Sequence, residues 1–292
     1  MHDSDTNMSG KICLVTGATS GIGAATALAL AQLGATVIVV GRDLQRCSAR
    51  AEAIRQYTGN RCVEHLTADL SAQDDLQQLA RRFKGKYCSL DVLVNNAGGR
   101  FLTRSLSAEG YEMTLALNHL GYFTLTNLLL TELLISGHGR IVNVSSEAHR
   151  NCPGIDFDDL HGARGYSGKM AYSQSKLANL LFTYELARQL EGTGLTVNAL
   201  DPGNVWTRFS RNNGWLSWGR HIAGSLHSGS LVGPKEGART GVYLATSHEV
   251  DGISGKYFCR ERMVASSRES YDVAAARRLW DISIELARFK TA

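Results

Sequence analysis

Proline and long hydrophobic runs are scarce in this sequence. It has 3 prolines against 30 glycines in 292 residues, a balance that favours uninterrupted helices and strands joined by tight turns. No apolar run reaches the roughly 20 residues of a membrane-spanning helix. The chain starts with the polar and acidic MHDSDTNMSG, so we expect neither a signal peptide nor a membrane anchor, and a cytoplasmic protein.

Strong charge and paired cysteines are missing as well. The formal net charge is only +4 and no block of Lys and Arg stands out, so the sequence does not predict a nucleic-acid partner. No two of the 6 cysteines have CxxC spacing: Cys13, Cys47, Cys62, Cys88, Cys152 and Cys259. This scatter predicts buried free thiols in a reducing compartment, with neither disulfides nor a metal site.

Short β-branched runs alternate with helical patterns along the chain. Strands are predicted at 11–16, 35–41, 62–70, 90–98, 139–146, 195–203 and 252–258, and helices at 21–34, 44–57, 72–84, 111–135, 170–191 and 235–246. The strands show almost no polar alternation, which is typical of a parallel sheet covered on both faces. The expected fold class is therefore α/β: a single-domain, doubly wound (Rossmann) parallel sheet of about seven strands with helices on both faces.

The segment TGATSGIG (16–23) joins the first predicted strand to the first predicted helix. Gly17 would permit the sharp turn, Gly21 a close approach of the backbone to a ligand, and Gly23 tight packing of the helix on the strand. Backbone N–H groups and the positive end of the helix would then face a pyrophosphate. The strand–turn–helix context predicts a dinucleotide site formed by Gly17, Thr19, Ser20, Gly21, Ile22 and Gly23.

The ends of the next strands bear on the choice of cofactor. The second strand ends in VVGRD, with Arg42 where NAD-selective sites usually carry an acidic residue. A guanidinium suits a 2′-phosphate, so we favour NADP(H) over NAD(H); neighbouring Asp43 leaves a solvated surface arginine as the alternative. ADL (68–70) and NNAG (95–98) end strands three and four, where such folds bind ligands. Asn95 is expected to brace neighbouring strands, and further cofactor contacts are expected from Asp69, Leu70, Asn96, Ala97 and Gly98.

Seven motifs, in order, resemble the classical short-chain dehydrogenase/reductase family: TGATSGIG, ADL, NNAG, NHLG, IVNVSS, YSQSK and DPG. The resemblance covers residues 10–260, and SKLANLLFTYELARQL and GISGKYF are most similar to the retinol-dehydrogenase branch, which includes reductases of hydrophobic aldehydes and ketones. It implies hydride transfer between a nicotinamide cofactor and the carbonyl or alcohol of a small-molecule substrate. A homo-oligomer, dimer or tetramer, is left open.

The resemblance also implies a catalytic set: Asn118, Ser146, Tyr172 and Lys176, with Ser145 the less favoured serine. Tyr172 and Lys176 would share one face of a helix. Hydride delivery to a carbonyl builds negative charge on oxygen, which needs a proton from Tyr172 and a hydrogen bond from Ser146. Lys176 and the positive nicotinamide ring would lower the pKa of the phenol. Lys176 would also bind the nicotinamide ribose, and Asn118 would help position a water that relays protons to Lys176.

Beyond DPG, four residues resemble the family segment that covers the nicotinamide end: Pro202, Gly203, Val205 and Thr207. Aromatic residues follow among glycines and serines: Trp206, Phe209, Trp215 and Trp218. We expect 204–232 to form a lid over a bulky apolar substrate, with an oligomer contact or plain packing as alternatives. Three arginines of the same stretch would instead favour an acidic substrate: Arg208, Arg211 and Arg220.

Two other functions stay open on the residues alone. A carbon–carbon double-bond reductase of the same family would share the Tyr and Lys pair, and only substrate screening separates it. A regulator that senses NADP(H) without turnover would usually have lost that pair, which is present here. We expect one domain over residues 1–292, with a flexible tail at 1–9 and a C-terminal extension at 260–292.

Overall fold

A computed structural model of the chain describes residues 7–205 and 232–287. The strands are β1 Ile12–Thr16, β2 Thr36–Gly41, β3 Val63–Thr67, β4 Val92–Asn95, β5 Arg140–Val144, β6 Thr196–Asp201, β7 Lys256–Cys259 and β8 Arg262–Met263. They form one sheet in the order β3-β2-β1-β4-β5-β6-β7-β8. Every neighbouring pair is parallel except β7 and β8. The predicted doubly wound α/β fold is confirmed.

The described residues contain eight strands where the sequence predicts about seven. The additional strand, β8, pairs antiparallel with β7 after a two-residue turn at Arg260 and Glu261. Both turn residues have positive φ, 51° and 63°, as a tight hairpin turn with the right twist requires. A strand of two residues carries no periodicity, so the hydrophobic pattern could not predict it.

The α-helices are α1 Gly21–Gln32, α2 Leu44–Thr58, α3 Gln73–Lys84, α4 Met113–Leu115, α5 Gly121–Leu128, α6 Leu130–Ile135, α7 Gly168–Gln189, α8 Pro234–Thr246 and α9 Val273–Leu286. The helix predicted over 111–135 is continuous from Met113 to Leu128, with a π-helical turn at Ala116–Leu120 between α4 and α5. Leu129, with φ −105° and ψ 10°, ends α5, and α6 begins at the next residue. A π-turn inside a helix often marks a functional site.

Each face of the sheet is covered by its own apolar layer. Alternate residues of β1 point to opposite sides: Cys13 and Val15 pack with α1, α2 and α8, whereas Leu14 packs with α3, α5 and α7. Alternation between two buried faces explains why the strands are almost entirely apolar. The two layers hold the carboxyl ends of the parallel strands at one edge of the sheet.

The C-terminal residues pack on the rest of the fold through α9. Ala276 and Leu279 are buried against Leu177 and Leu181 of α7, and the ring of Trp280 lies 4.9 Å from that of Phe123. At the other end of the chain, Met8 donates its N–H to Leu33 O at 2.8 Å.

The cysteines are free, as expected, but not uniformly buried. Cys13, Cys47 and Cys152 are buried, whereas Cys62 and Cys88 are exposed because both lie in connections just before a strand. In residues 7–205 and 232–287, no helix combines the length and the apolar character needed to cross a membrane.

Candidate active site

A cavity of about 950 Å³ lies at the carboxyl ends of the parallel strands. β1 and β4 are neighbours there although they are far apart in sequence, so the crossovers to either side leave a crevice between them. Eighteen of the residues predicted for the site line this cavity: Gly17, Thr19, Ser20, Gly21, Ile22, Gly23, Arg42, Asp69, Leu70, Asn96, Ala97, Gly98, Ser146, Tyr172, Lys176, Pro202, Gly203 and Val205. Asn118 stands just behind the wall, and Thr207 and the predicted lid aromatics lie outside the described residues.

The glycine turn after β1 is shaped by close contacts that leave no room for side chains. Gly17 has φ +63°, and a Cβ on Gly23 would lie 2.4 Å from Asn96 Nδ2 and 2.6 Å from Gly17 O. The Thr16 hydroxyl accepts the N–H groups of Asn96 and Ala97 at 2.8 and 3.0 Å. Asn96 Nδ2 donates in return to Thr16 O at 2.7 Å. The turn and the NNAG segment are therefore held as one rigid unit.

The amino end of α1 opens into the cavity. The Ser20 side chain makes no capping hydrogen bond to α1 in the described structure. The first N–H groups of an α-helix have no partner within the helix, and with the helix dipole they attract an anion. The residues at this point thus match the sequence prediction of a phosphate cradle.

Two arginines line the cavity next to the end of β2. Arg42 was predicted there; Arg46 is a residue that the sequence reasoning missed. The Asp43 carboxylate accepts from Arg46 N at 2.9 Å and caps α2. Asp43, the acidic neighbour of Arg42, therefore uses its carboxylate to cap α2. Arg42 lies just before the N-cap of α2 and Arg46 in the first turn of the helix, and both side chains line the cavity.

Asn95 and Asp69 are both held by bonds inside the protein. Asn95 Nδ2 donates to Asn143 Oδ1 and to Thr126 Oγ1, each at 2.9 Å, so the predicted bracing of neighbouring strands is confirmed. Asp69 Oδ1 accepts from the N–H and the hydroxyl of Ser71, at 3.0 and 2.7 Å. These bonds fix the Asp69 carboxylate where it lines the cavity.

Ser146, Tyr172 and Lys176 come together on the other side of the crevice. Ser146 follows β5, Tyr172 lies on α7, and both line the cavity, where the Ser146 hydroxyl acts to lower the pKa of the Tyr172 phenol. Lys176 lies one helical turn further on, with its ammonium 5.7 Å from the centre of the Tyr172 ring and donating to Val144 O at 2.9 Å. Ser145 points elsewhere: it is buried and donates to Lys176 O at 2.8 Å.

Burial sets the charge states of this group. It raises the pKa of the Tyr172 phenol to about 12, and the Asp201 carboxylate acts in the same direction, against the Ser146 hydrogen bond and the charge of Arg100. It lowers the pKa of the Lys176 ammonium to about 7, with Asp201 opposing. The expected lowering of the Tyr172 pKa is thus absent from the protein alone, because desolvation outweighs the nearby charges.

Asn118 lies in the π-helical turn, and its amide is fully engaged. Nδ2 donates to Gly99 O and Ser175 Oγ, both at 2.9 Å, and Oδ1 accepts from Gly99 N at 2.8 Å. Both amide hydrogens are used by protein acceptors, so Asn118 can hold a water only through an oxygen atom. Ser175 donates in turn to Tyr172 O at 2.8 Å. Asn118 therefore ties the NNAG segment to the helix that carries Tyr172.

The remaining wall of the cavity combines apolar and cationic side chains. Phe101, Met113 and Leu117 line the cavity, as do Arg100 and Lys169. The sequence reasoning missed all five, since none belongs to a motif; only the position of Arg100 and Phe101 directly after NNAGG pointed to this wall. Gln174, between Tyr172 and Lys176, accepts from Asp156 N at 2.9 Å and so anchors the 150–170 loop.

Known proteins resemble this chain over nearly its whole length. The family model described as short chain dehydrogenase matches residues 11–214. Retinol dehydrogenase 13 of Homo sapiens is 42% identical over 287 residues, which cover 95% of this chain and 84% of that relative. Retinol dehydrogenase 14 of Mus musculus is 41% identical over 290 residues, 94% of this chain and 85% of the relative.

Solved structures show the same architecture. An uncharacterised protein from Mycobacterium paratuberculosis matches with a TM-score of 0.77 and 34% identity, covering 98% of this chain and 96% of that chain. A short chain dehydrogenase from Escherichia coli, complexed with NADPH, matches with a TM-score of 0.70 and 26% identity, covering 89% of this chain and 100% of that chain.

Proposed function

The chain belongs to the short-chain dehydrogenase/reductase family, and we propose that it is an NADP(H)-dependent oxidoreductase that interconverts the carbonyl and alcohol forms of a bulky apolar substrate. One observation carries the proposal. Tyr172 and Ser146 line the same cavity as the glycine turn, and the Lys176 ammonium lies beside the Tyr172 ring. A proton donor and an anion cradle in one crevice are what hydride transfer to a carbonyl requires.

The residues around the glycine turn fit a dinucleotide. A Cβ on Gly17 would lie 2.8 Å from Ala97 Cα, so no side chain fits there, and the residue lines the cavity with its backbone. Arg42 and Arg46 would bind the 2′-phosphate of NADP(H), because two guanidinium groups present planar donors to a dianion. The E. coli relative complexed with NADPH supports this choice.

NADPH, when bound, supplies the hydride that reduces the carbonyl carbon. Tyr172 transfers its phenolic proton to the carbonyl oxygen, so that an alcohol is formed and a phenolate is left, which is reprotonated from solvent. Ser146 donates a hydrogen bond to the same oxygen as its negative charge develops. Lys176 stabilises the phenolate by its charge and holds the ribose through ammonium hydrogens that Val144 O does not take. In the alcohol-oxidising direction the same groups act in reverse.

The apolar part of the wall suggests the substrate class. Phe101, Met113 and Leu117 contribute an aromatic ring, a thioether and a branched chain to the lining of the cavity that also holds Tyr172, and such surfaces bind apolar bodies with few polar anchors. The relatives named retinol dehydrogenase are consistent with a hydrophobic alcohol or aldehyde.

The test is a panel of substrates assayed with both NADPH and NADH. We expect NADPH oxidation with long-chain or polyene aldehydes such as retinaldehyde, and weaker activity with short aldehydes. An enone whose double bond is reduced while aldehydes are left untouched would identify a carbon–carbon double-bond reductase. NADPH binding without turnover of any carbonyl would identify a nucleotide sensor and refute the proposed function.

A further inference from the structure

His149 is a fully buried histidine that sequence motifs did not single out. It lies in a 3₁₀ turn, Glu147–Asn151, that follows Ser146 directly. Its ring packs edge-on against Tyr257 of β7, with the centroids 5.2 Å apart. The side chain thus sits between the Ser146 turn and the last part of the sheet.

Both ring nitrogens of His149 have defined partners. Ser267 donates its backbone N–H to Nε2 at 3.0 Å. A backbone N–H cannot accept, so Nε2 must be the unprotonated nitrogen and the proton must be on Nδ1. Nδ1 then donates to Ser146 O, 2.6 Å away. The surroundings therefore select a single neutral tautomer of His149. Its Nδ1–H points at the carbonyl of Ser146, the residue whose hydroxyl lines the cavity.

The Ser146 carbonyl receives a second bond from the same residue. His149 N donates to Ser146 O at 3.1 Å, so backbone and ring together fix the peptide plane that follows Ser146. Ser146 itself has an extended backbone and begins the 3₁₀ turn, accepting Ala148 N on its hydroxyl at 3.2 Å. Rotation of that peptide would displace the turn and, with it, the Ala148 N–H that holds the Ser146 hydroxyl.

The far side of His149 is held by a network of hydroxyls. Ser270 Oγ donates to Ser267 O at 2.6 Å and bonds Ser266 Oγ at the same distance. Ser266 Oγ also bonds the Tyr184 hydroxyl at 2.8 Å. Tyr184 lies on α7, the helix that carries Tyr172. His149 therefore connects the two elements of the site, the Ser146 turn and α7, through Ser266, Ser267 and Ser270, which do not line the cavity.

We propose that His149 is a positioning residue that holds the Ser146 hydroxyl at the substrate oxygen by donating from Nδ1 to the Ser146 carbonyl. This inference rests on the proposed function, because it assigns His149 a role in carbonyl reduction. The positioning role differs from a purely structural role, in which His149 would only anchor the C-terminal segment through Nε2. The two roles use different nitrogens, and single substitutions separate them.

Two variants each keep one of the two hydrogen bonds. His149→Asn places an amide N–H where Nδ1 lies and keeps the donor to Ser146 O. His149→Gln extends its amide to the place of Nε2 and keeps an acceptor for Ser267 N but loses the donor to Ser146. We expect His149→Asn to retain most of kcat and His149→Gln to lose about 10- to 100-fold, the cost of a misplaced reacting group. The Kd for NADPH should stay unchanged in both.

Matched controls distinguish positioning from stability. Ser270→Ala disturbs the same C-terminal segment without contacting His149 or Ser146, so it should lower the unfolding free energy and leave kcat unchanged. In a Ser146→Ala background, His149→Gln should cause little further loss, because its effect acts through the serine hydroxyl. A full additional loss in that background, or a larger loss of kcat in His149→Asn than in His149→Gln, would overturn the inference.

A measurement on the unmodified protein does not depend on how the variants fold. Nitrogen NMR of the histidine rings should show His149 as the neutral Nδ1–H tautomer, and a proton on Nε2 would refute the geometry. The proposed function and the role of His149 can be refuted separately. If the wild-type protein reduces no carbonyl, the proposed function falls; if it does and His149→Gln keeps full kcat, only the role of His149 falls.

Discussion

Carbonyl reduction should slow steeply as the pH rises above 7, because Lys176 then loses its charge. The ammonium is buried, which lowers its pKa to about 7. Tyr172, with its pKa raised to about 12, stays protonated over the whole range and can always donate. A lysine is charged below its pKa and neutral above it, so the field that stabilises the developing phenolate disappears on the alkaline side.

The size of the effect follows from the geometry. The Lys176 ammonium lies 5.7 Å from the centre of the Tyr172 ring; at an effective dielectric constant of about 20 a unit charge at that distance stabilises a phenolate by about 3 kcal/mol. Loss of the charge should therefore slow the reaction about 100-fold. The charged fraction falls from about one half at pH 7 to about 1% at pH 9, so most of the decline should occur between these values.

The assay is kcat/KM for NADPH at saturating aldehyde, which reports ionisations of the free enzyme. Lys176→Arg should flatten the profile up to pH 9, because a guanidinium does not lose its proton there. Asp201→Asn should move the decline to lower pH, because the Asp201 carboxylate opposes the lowering of the Lys176 pKa. A wild-type profile that is flat from pH 6 to pH 9, or one that Lys176→Arg leaves unchanged, would refute the reasoning.

Three further predictions concern the cofactor and the frame of the fold. Arg42→Ala should raise the Kd for NADPH about 10- to 100-fold and leave that for NADH almost unchanged, since a charge-assisted hydrogen bond is worth about 1.5–3 kcal/mol; equal effects on the two cofactors would exclude the 2′-phosphate role. Gly23→Ala forces a methyl group to within 2.6 Å of Gly17 O, so titration should show loss of NADPH binding. Retained affinity for NADPH would contradict the inference that the glycine turn is rigid. Leu279→Ala should lower the unfolding free energy by about 2–5 kcal/mol in urea, because Leu279 is buried against α7; an unchanged midpoint would mean that α9 adds nothing to stability.

The strand ends and the glycine turn were predictable from the sequence. Gly17 and Gly23 sit at fixed spacing between an apolar run and a helical pattern, and parallel topology then gathers successive strand ends at one edge. The same logic placed Asp69, Asn96 and Ser146 in one cavity without knowledge of side-chain positions.

Other parts depend on contacts that a linear pattern does not encode. The amide of Asn118, in the π-turn, bonds Gly99 and Ser175, which are distant in sequence. The sequence could not show that Asp43, beside Arg42, uses its carboxylate to cap α2 by accepting from Arg46 N. The tautomer of His149 depends on a backbone N–H 118 residues further along the chain. Helix α9 was missed because the resemblance to the family ended before it, although Asp272 is a typical helix N-cap residue.

The central claim is that Tyr172 donates the proton in carbonyl reduction, and Tyr172→Phe tests it most directly. Removal of the phenolic oxygen keeps the ring and its packing, so NADPH titration should give the wild-type Kd. NADPH oxidation with the best aldehyde of the panel should fall by about 100- to 10,000-fold, the usual contribution of a positioned acid. Turnover within a few-fold of wild type, with NADPH still bound, would contradict the account.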